Sequence, residues 1–268
     1  MKELTLQEIK DVELDILKMF DAFCKKNNIR YFLAFGSLLG AIRYKKYIPW
    51  DDDIDVLVPR EDYDKLLSIF QDNERFRLYA FEKDPKFHFP FAKLCDMTTI
   101  KEETIYPIKD IVMGIDMDIF PLDTFDNNID NARKEVKIIQ KYMLRLGRTK
   151  LTKPLSNNPV KYFVKYILMF FCKVIGGGYF VKKIIKESNK SEQKGSSYLG
   201  AKVWCIWGER GIIPAEVFKE TIEVEFEGQM FPAPIGWDTY LTCLYGDYLP
   251  EPPKEKQKTH HDFKAYRL

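Results

Sequence analysis

The sequence has no run of about 18 uncharged apolar residues, which argues against a helix that spans a membrane. Its first segment, MKELTLQEIKDVELDILKMF, carries acids throughout and has no apolar core of the signal-peptide kind. The expectation is a protein made and kept in the cytoplasm. Cysteine is sparse. Cys24, Cys95, Cys172, Cys205 and Cys243 are widely spaced and form no CxxC pair. An odd, scattered set argues against a disulfide framework and a structural zinc, and predicts small buried apolar residues. Internal repeats and low-complexity tracts are also missing. Net charge is only +2, so no overall field of one sign marks the chain.

What is present is uneven. The length of 268 residues and 46% hydrophobic content suit one large domain, or a core with an appended helical part. Residues 133–194 hold 16 Lys and Arg against 3 Asp and Glu, which leaves 26 against 37 in the remainder. Such a basic block fits an anionic partner surface or, equally, helices with a solvated basic face. Charge alone gives nucleic-acid binding little support, and none is expected.

Hydrophobic spacing outlines the elements. Thr5 is placed to cap a helix that buries Ile9, Val12, Ile16, Phe20 and Phe23, and Asn27-Asn28 ends it. Tyr31 to Phe35 reads as a strand, Gly36 to Arg43 as a short helix, and Ile54 to Val58 as a second strand closed by Pro59. Residues 61–70 are helical again. Phe76–Phe81, Phe91–Leu94 and Ile115–Phe120 are further strands. From about 129 to 194 the pattern turns helical and basic. Thr221–Phe226 and Gln229–Phe231 then flank a Glu227-Gly228 turn, and Asp238 is placed to cap a helix that Gly246 stops. The sum is an α+β fold with a mixed sheet. The expected division is 1–128 as catalytic core, 129–220 as basic helical insert, and 221–268 as a hairpin, helix and tail packing back on the core.

The chemistry concentrates in FGSLLGAIRYKKYIPWDDDIDVLV, residues 35–58. Asp51, Asp52, Asp53 and Asp55 crowd into five positions. Strand alternation sends Asp53 and Asp55 to one side and Ile54, Val56 and Val58 to the other. Neighbouring carboxylates repel and raise each other's pKa unless a cation lies between them, and Mg²⁺ prefers oxygen ligands and keeps phosphate as another. Surface acids used as turn formers would account for Asp51 and Asp52. They would not account for Asp55 inside an apolar run. Gly36-Ser37 stands at a strand-to-helix turn, where backbone N–H groups attract phosphate. In IDMDIF, Asp116 and Asp118 alternate with apolar residues, so an acid from this strand can complete the cluster.

These residues resemble a known family. GSLLGAIRYKKYIPWDDDIDV is similar to the signature of the LicD family, bacterial phosphorylcholine transferases related to the fukutin group. The likeness continues in FAKLCDMTT (91–99), DIFPLD (118–123), FEGQMFPAPIGWDTYLTCLYGDYLPEPP (226–253) and His260-His261. The resemblance implies a nucleotidyltransferase-like sheet core. Gly36 and Ser37 would hold donor phosphate, Asp53 and Asp55 would bind Mg²⁺ or Mn²⁺, and Asp118 would be the third carboxylate, as base or ligand. The gap from Ser37 to Asp53 is longer than usual in that superfamily, which leaves an Asp51–Asp53 register open. Arg43 and Lys93 are candidate phosphate cations or counter-charges to the acids. Asp96 is a candidate support behind the site, and His260 and His261 either close over the nucleotide or belong only to the tail. Tyr245, Asp247 and Tyr248 are expected to fix the C-terminal fold.

The implied donor is a CDP-alcohol such as CDP-choline, and the implied acceptor a hydroxyl of a cell-surface glycan, lipid-linked in some cases. The alternatives are a nucleotidyltransferase using CTP or ATP and a non-catalytic glycan- or nucleotide-binding protein on the same fold. The run YFVKYILMFFCKVIGGGYFVKKII (162–185) reads either as a helix pair on an anionic membrane or as two core-packing helices around a glycine turn, and the aromatics favour the second.

Overall fold

Thr5 sets the first helix. Its hydroxyl accepts the Glu8 N–H while Glu8 accepts the Thr5 N–H, a reciprocal cap that starts α1 (Leu6–Asn27) directly after the short β1 (Lys2–Glu3). Asn28 closes α1 in the left-handed region at φ 50°. The apolar stripe Ile9, Val12, Ile16, Phe20 and Cys24 is buried. The structure, a computed structural model, describes residues 1–103, 111–154, 156–191, 195–259 and 263–268.

The elements continue as β2 (Phe32–Leu33), α2 (Phe35–Tyr44), β3 (Asp55–Pro59), α3 (Arg60–Ile69), β4 (Phe76–Tyr79), β5 (Ala92–Asp96), β6 (Thr99–Glu103) and β7 (Ile115–Thr124). Three helices follow: α4 (Ile129–Lys150), α5 (Pro159–Ile175) and α6 (Gly177–Ser188). After β8 (Tyr198–Gly200) and β9 (Ile213–Pro214) come β10 (Thr221–Phe226), β11 (Gln229–Pro234), α7 (Trp237–Tyr245) and β12 (Phe263–Arg267).

The main sheet runs β2-β3-β7-β5-β4, with β8 on the far end of β7 and β9 beside it. Only β3 and β7 are parallel in it, in a register that sets Asp55 opposite Asp118. This is the α+β architecture with a mixed sheet that the sequence predicts. Ile54, Val56, Leu57 and Val58 are all buried, so β3 is covered on both faces. The β10–β11 hairpin turns at Glu227 and Gly228, both at positive φ, as a two-residue I′-type turn requires. It docks on the loop before the acidic segment: Glu227 N–H donates to Lys45 O, and Tyr47 N–H donates to the Glu227 carboxylate.

Several expectations are corrected. The helix at Gly36 begins one residue earlier, at Phe35. The helix before Gly246 is capped by Gly236, with Asp238 inside its first turn accepting the Tyr248 hydroxyl. The basic tail ends in a strand, β12, paired between β1 and β6 in a second sheet. All five cysteines are free, four buried and Cys243 partly so. The core-packing reading of 162–185 holds for α6, where Phe180, Val181 and Ile184 are buried, but not for α5, which buries only Met169 and Cys172. No single helix among the described residues is long and apolar enough to cross a membrane.

Candidate active site

The strand-to-helix turn at β2–α2 is strained. Phe35 opens α2 at φ 42°, a conformation that costs a bulky residue about 1–3 kcal/mol and survives where the surroundings enforce it. Those surroundings are the Phe120, Trp207 and Tyr240 rings packed around Phe35, and the Tyr240 hydroxyl, which accepts the Phe35 N–H at 3.4 Å. Ala34 gives the first turn no side-chain cap. Gly36 follows, and a β-carbon there would collide with Asp51 Oδ2, so glycine lets the acidic segment close down on the start of the helix. Ser37 is buried, and its hydroxyl accepts the Asp55 N–H at 2.8 Å, tying the helix start to the strand start.

Asp51, Asp53, Asp55 and Asp118 line one cleft of about 1130 Å³, together with Gly36 and Arg43. Asp53 lies in the extended segment just before β3, and Asp55 is the first residue of that strand. Burial, then Asp53, Asp118 and Asp51, push the Asp55 carboxyl well above the usual carboxylate range. Asp118 is pushed up to about 6 by burial and by Asp116, against the opposing pull of Lys93. Carboxylate oxygens of Asp51, Asp52 and Asp53 lie within 4.8 Å of one another, an arrangement that a hard divalent cation fits. Asp51, Asp53 and Asp55 all line the same cleft, so both registers left open by the sequence stay available.

Lys93 does not line the cleft. It is buried beside the sheet and ion-paired to both Asp116 and Asp118, and Lys101 Nζ holds the other oxygen of Asp116 at 2.8 Å. Burial works against its charge, but the two aspartates keep its pKa well above the ordinary lysine value. Asp116 shows the converse: burial would raise it, yet Lys101 and Lys93 hold it below the usual range. Arg43 does line the cleft. One of its guanidinium NH2 groups donates to Pro250 O at 3.3 Å, and its Nε is buried with no hydrogen-bond partner among the described residues. Asp96 is fully buried, accepts from Arg75 and Thr98, and does not line the cleft. His260 and His261 lie outside the described residues.

The far wall is aromatic, and sequence reasoning missed most of it. Trp50, Trp204, Trp207, Tyr245 and Tyr248 line the cleft, as do Asp247, Glu251, Glu255 and Lys258. Phe35 stacks on Trp207 at 6.4 Å between ring centroids, and Tyr245 meets Trp207 edge-on at 4.7 Å. Tyr245, Asp247 and Tyr248 therefore serve the cleft as well as the C-terminal fold. No local motif marks Trp204 and Trp207, because their place depends on β8 pairing with the end of β7.

The first turn of α2, with Gly36, thus stands beside carboxylates carried by the adjacent parallel strands β3 and β7. The family model for the LicD/FKTN/FKRP nucleotidyltransferase domain matches residues 28–151. Along its whole length the chain is 34% identical to the lipopolysaccharide cholinephosphotransferase LicD of Haemophilus influenzae, which it also covers completely. Shorter stretches resemble uncharacterized proteins of Rickettsia typhi, 38% identical over 63 residues (23% of this chain, 20% of the relative), and of Rickettsia prowazekii, 44% over 50 residues (19% of each). The chain belongs to the LicD family and is a phosphotransferase.

Proposed function

We propose that this protein transfers phosphocholine from CDP-choline to a hydroxyl of a cell-surface glycan, with Mg²⁺ or Mn²⁺ as cofactor and a nucleotidyltransferase-like sheet as its core. The observation that carries this reading is the single cleft that combines Asp51, Asp53, Asp55 and Asp118 with Gly36, Arg43 and an aromatic wall. The Haemophilus relative is named for cholinephosphate transfer to lipopolysaccharide, which supports the same class of donor group and acceptor.

The choline preference has its own support. A quaternary ammonium is held by aromatic faces with carboxylates nearby. Trp50, Trp204, Trp207, Tyr245 and Tyr248 bring several aromatic rings to the cleft, and Asp247, Glu251 and Glu255 supply negative charge on it. A neutral polyol such as ribitol or glycerol would gain less there.

Asp51, Asp53 and Asp55 would hold the divalent ion, which when bound offsets charge on the donor pyrophosphate. The first turn of α2 at Gly36 and the unpartnered Nε of Arg43 are suited to the phosphate oxygens. Asp118 is suited to accept the proton of the acceptor hydroxyl as its oxygen bonds to the choline-bearing phosphorus. The P–O bond to CMP breaks, and CMP leaves with the electron pair. Lys93 serves as a fixed counter-charge that keeps Asp118 in place.

The test is a donor screen. Purified protein is incubated with Mg²⁺ or Mn²⁺, a glycan acceptor, and CDP-choline, CDP-ethanolamine, CDP-glycerol or CDP-ribitol, and CMP release is measured. CDP-choline is expected to be used best. Pyrophosphate release from CTP or ATP, with no CMP from any CDP-alcohol, would replace this reading with nucleotidyl transfer. Metal-independent binding without cleavage would replace it with a binding protein.

A further inference from the structure

Among the described residues nothing covers the apolar face of α5. Phe163, Val164, Ile167, Phe170, Phe171 and Val174 are exposed, all but Ile167 by more than half. At about 3.6 residues per turn these six fall within an arc of about 120°, and no charged residue interrupts it. Lys161, Lys165 and Lys173 leave the helix on its other sides, flanked by Tyr162 and Tyr166. Met169 and Cys172 are the buried residues of the helix, which packs against α4. Solvated helices carry their charge outward; here the outward face is the apolar one.

We propose that α5 lies in the surface of an anionic phospholipid bilayer, its apolar arc among the acyl chains and its lysines at the headgroups. Lys161 and Lys173, one beyond each edge of the apolar arc, and Tyr166 beside the Lys173 edge suit the boundary between headgroup and acyl chain. The surrounding segment has the complementary charge, with 16 Lys and Arg against 3 Asp and Glu in 133–194. The geometry favours lying over crossing. α5 and the stretch that follows it are bent by 81°, and α6 buries Phe180, Val181 and Ile184 in the protein. A helix tied down in this way can present one face to a membrane but has no second half to complete a span.

Co-sedimentation of the full chain with vesicles tests this, using phosphatidylcholine alone and phosphatidylcholine mixed with phosphatidylglycerol. The wild type is expected to bind the anionic vesicles, and less so at high salt. Phe163→Glu with Phe171→Glu is expected to weaken that binding by about 100-fold, since two buried aromatic side chains are withdrawn from lipid. Both positions are exposed, so circular dichroism and the thermal midpoint should match wild type. Should the double variant fold poorly, Lys161→Gln with Lys173→Gln gives an independent reading: the preference for anionic over neutral vesicles should shrink. Wild type that stays in the supernatant with both vesicle types overturns the proposal. So does binding unchanged in both variants. Concentration-dependent self-association that the Phe variants abolish, with no vesicle binding, would instead assign the face to a second copy of the chain.

Discussion

Asp116 and Asp118 leave the same face of β7 two residues apart, and their surroundings give them opposite chemistry. Asp116 is fully enclosed between Lys93 and Lys101 and is held below the usual carboxylate range. Asp118 shares Lys93, opens on the cleft, and is pushed up to about 6. Across the parallel pairing, Asp55 stands opposite Asp118 among further acids and is pushed well above the usual carboxylate range. The acids enclosed by lysine hold the sheet together. Those that face the cleft repel one another enough to raise the Asp55 carboxyl, and a bound cation would lessen that repulsion.

The sharpest way to test that contrast is to neutralise one acid of each kind. Asp55→Asn is expected to lower turnover by about 1000-fold or more, at unchanged or slightly raised thermal stability, because it removes a repelling charge. Asp116→Asn is expected to do the reverse. It strips a partner from two lysines, one of them buried, at a cost of about 3–5 kcal/mol in stability, while the cleft keeps its own carboxylates. Paired assays of CMP release and urea unfolding check both. A stability loss at Asp55 as large as that at Asp116 would erase the distinction.

Metal removal sharpens it further. Chelation should abolish CMP release, and Mg²⁺ or Mn²⁺ should restore it. Independently of activity, an ion at 100 times its Kd should stabilise the folded chain by about 2.7 kcal/mol. Scanning calorimetry with and without Mg²⁺ reads this directly. The shift should be present in Asp116→Asn, after allowing for its lower baseline, and should vanish in Asp53→Asn.

Gly36 joins the two halves of the site, and Gly36→Ala is expected to be next in size. Its β-carbon would displace Asp51, so we expect about a 100-fold loss in kcat/KM with little change in thermal midpoint. A variant as active as wild type would mean that the approach of Asp51 to the helix start does not matter to transfer.

How much of this could be read from the residues differs between the two halves of the site. The acidic half was legible because its signal is local. Alternation across 53–58 and the Gly-Ser turn are properties of short windows, and Asp118 sits in the same kind of pattern. The capped α1 and the hairpin at Glu227-Gly228 were legible for the same reason. The strain at Phe35 was not, since nothing in a phenylalanine announces a positive φ that tertiary packing enforces. Lys93 shows the limit most clearly. Its sequence neighbours place it on a strand, but only the pairing of β5 with β7 sets it against Asp118 and away from the cleft lining. The exposure of α5 was hidden too, because an apolar helix reads alike whether it faces a core or open surroundings.

The aromatic half of the cleft is where the smallest effect is expected, and where it says most about the substrate. Trp207 stacks on Phe35 and meets Tyr245 edge-on, so its removal opens the wall without touching an acid. If that wall holds a quaternary ammonium, Trp207→Ala forfeits a cation–π contribution of about 1–2 kcal/mol, and KM for CDP-choline should rise about tenfold. The same change should affect CDP-glycerol much less, because a polyol has no charge to lose. The ratio of the two effects is the informative quantity, since a general loosening of the cleft would raise both KM values together. An equal rise for both donors would detach the aromatic wall from choline recognition while leaving the carboxylates, and the contrast between Asp116 and Asp118, as they are.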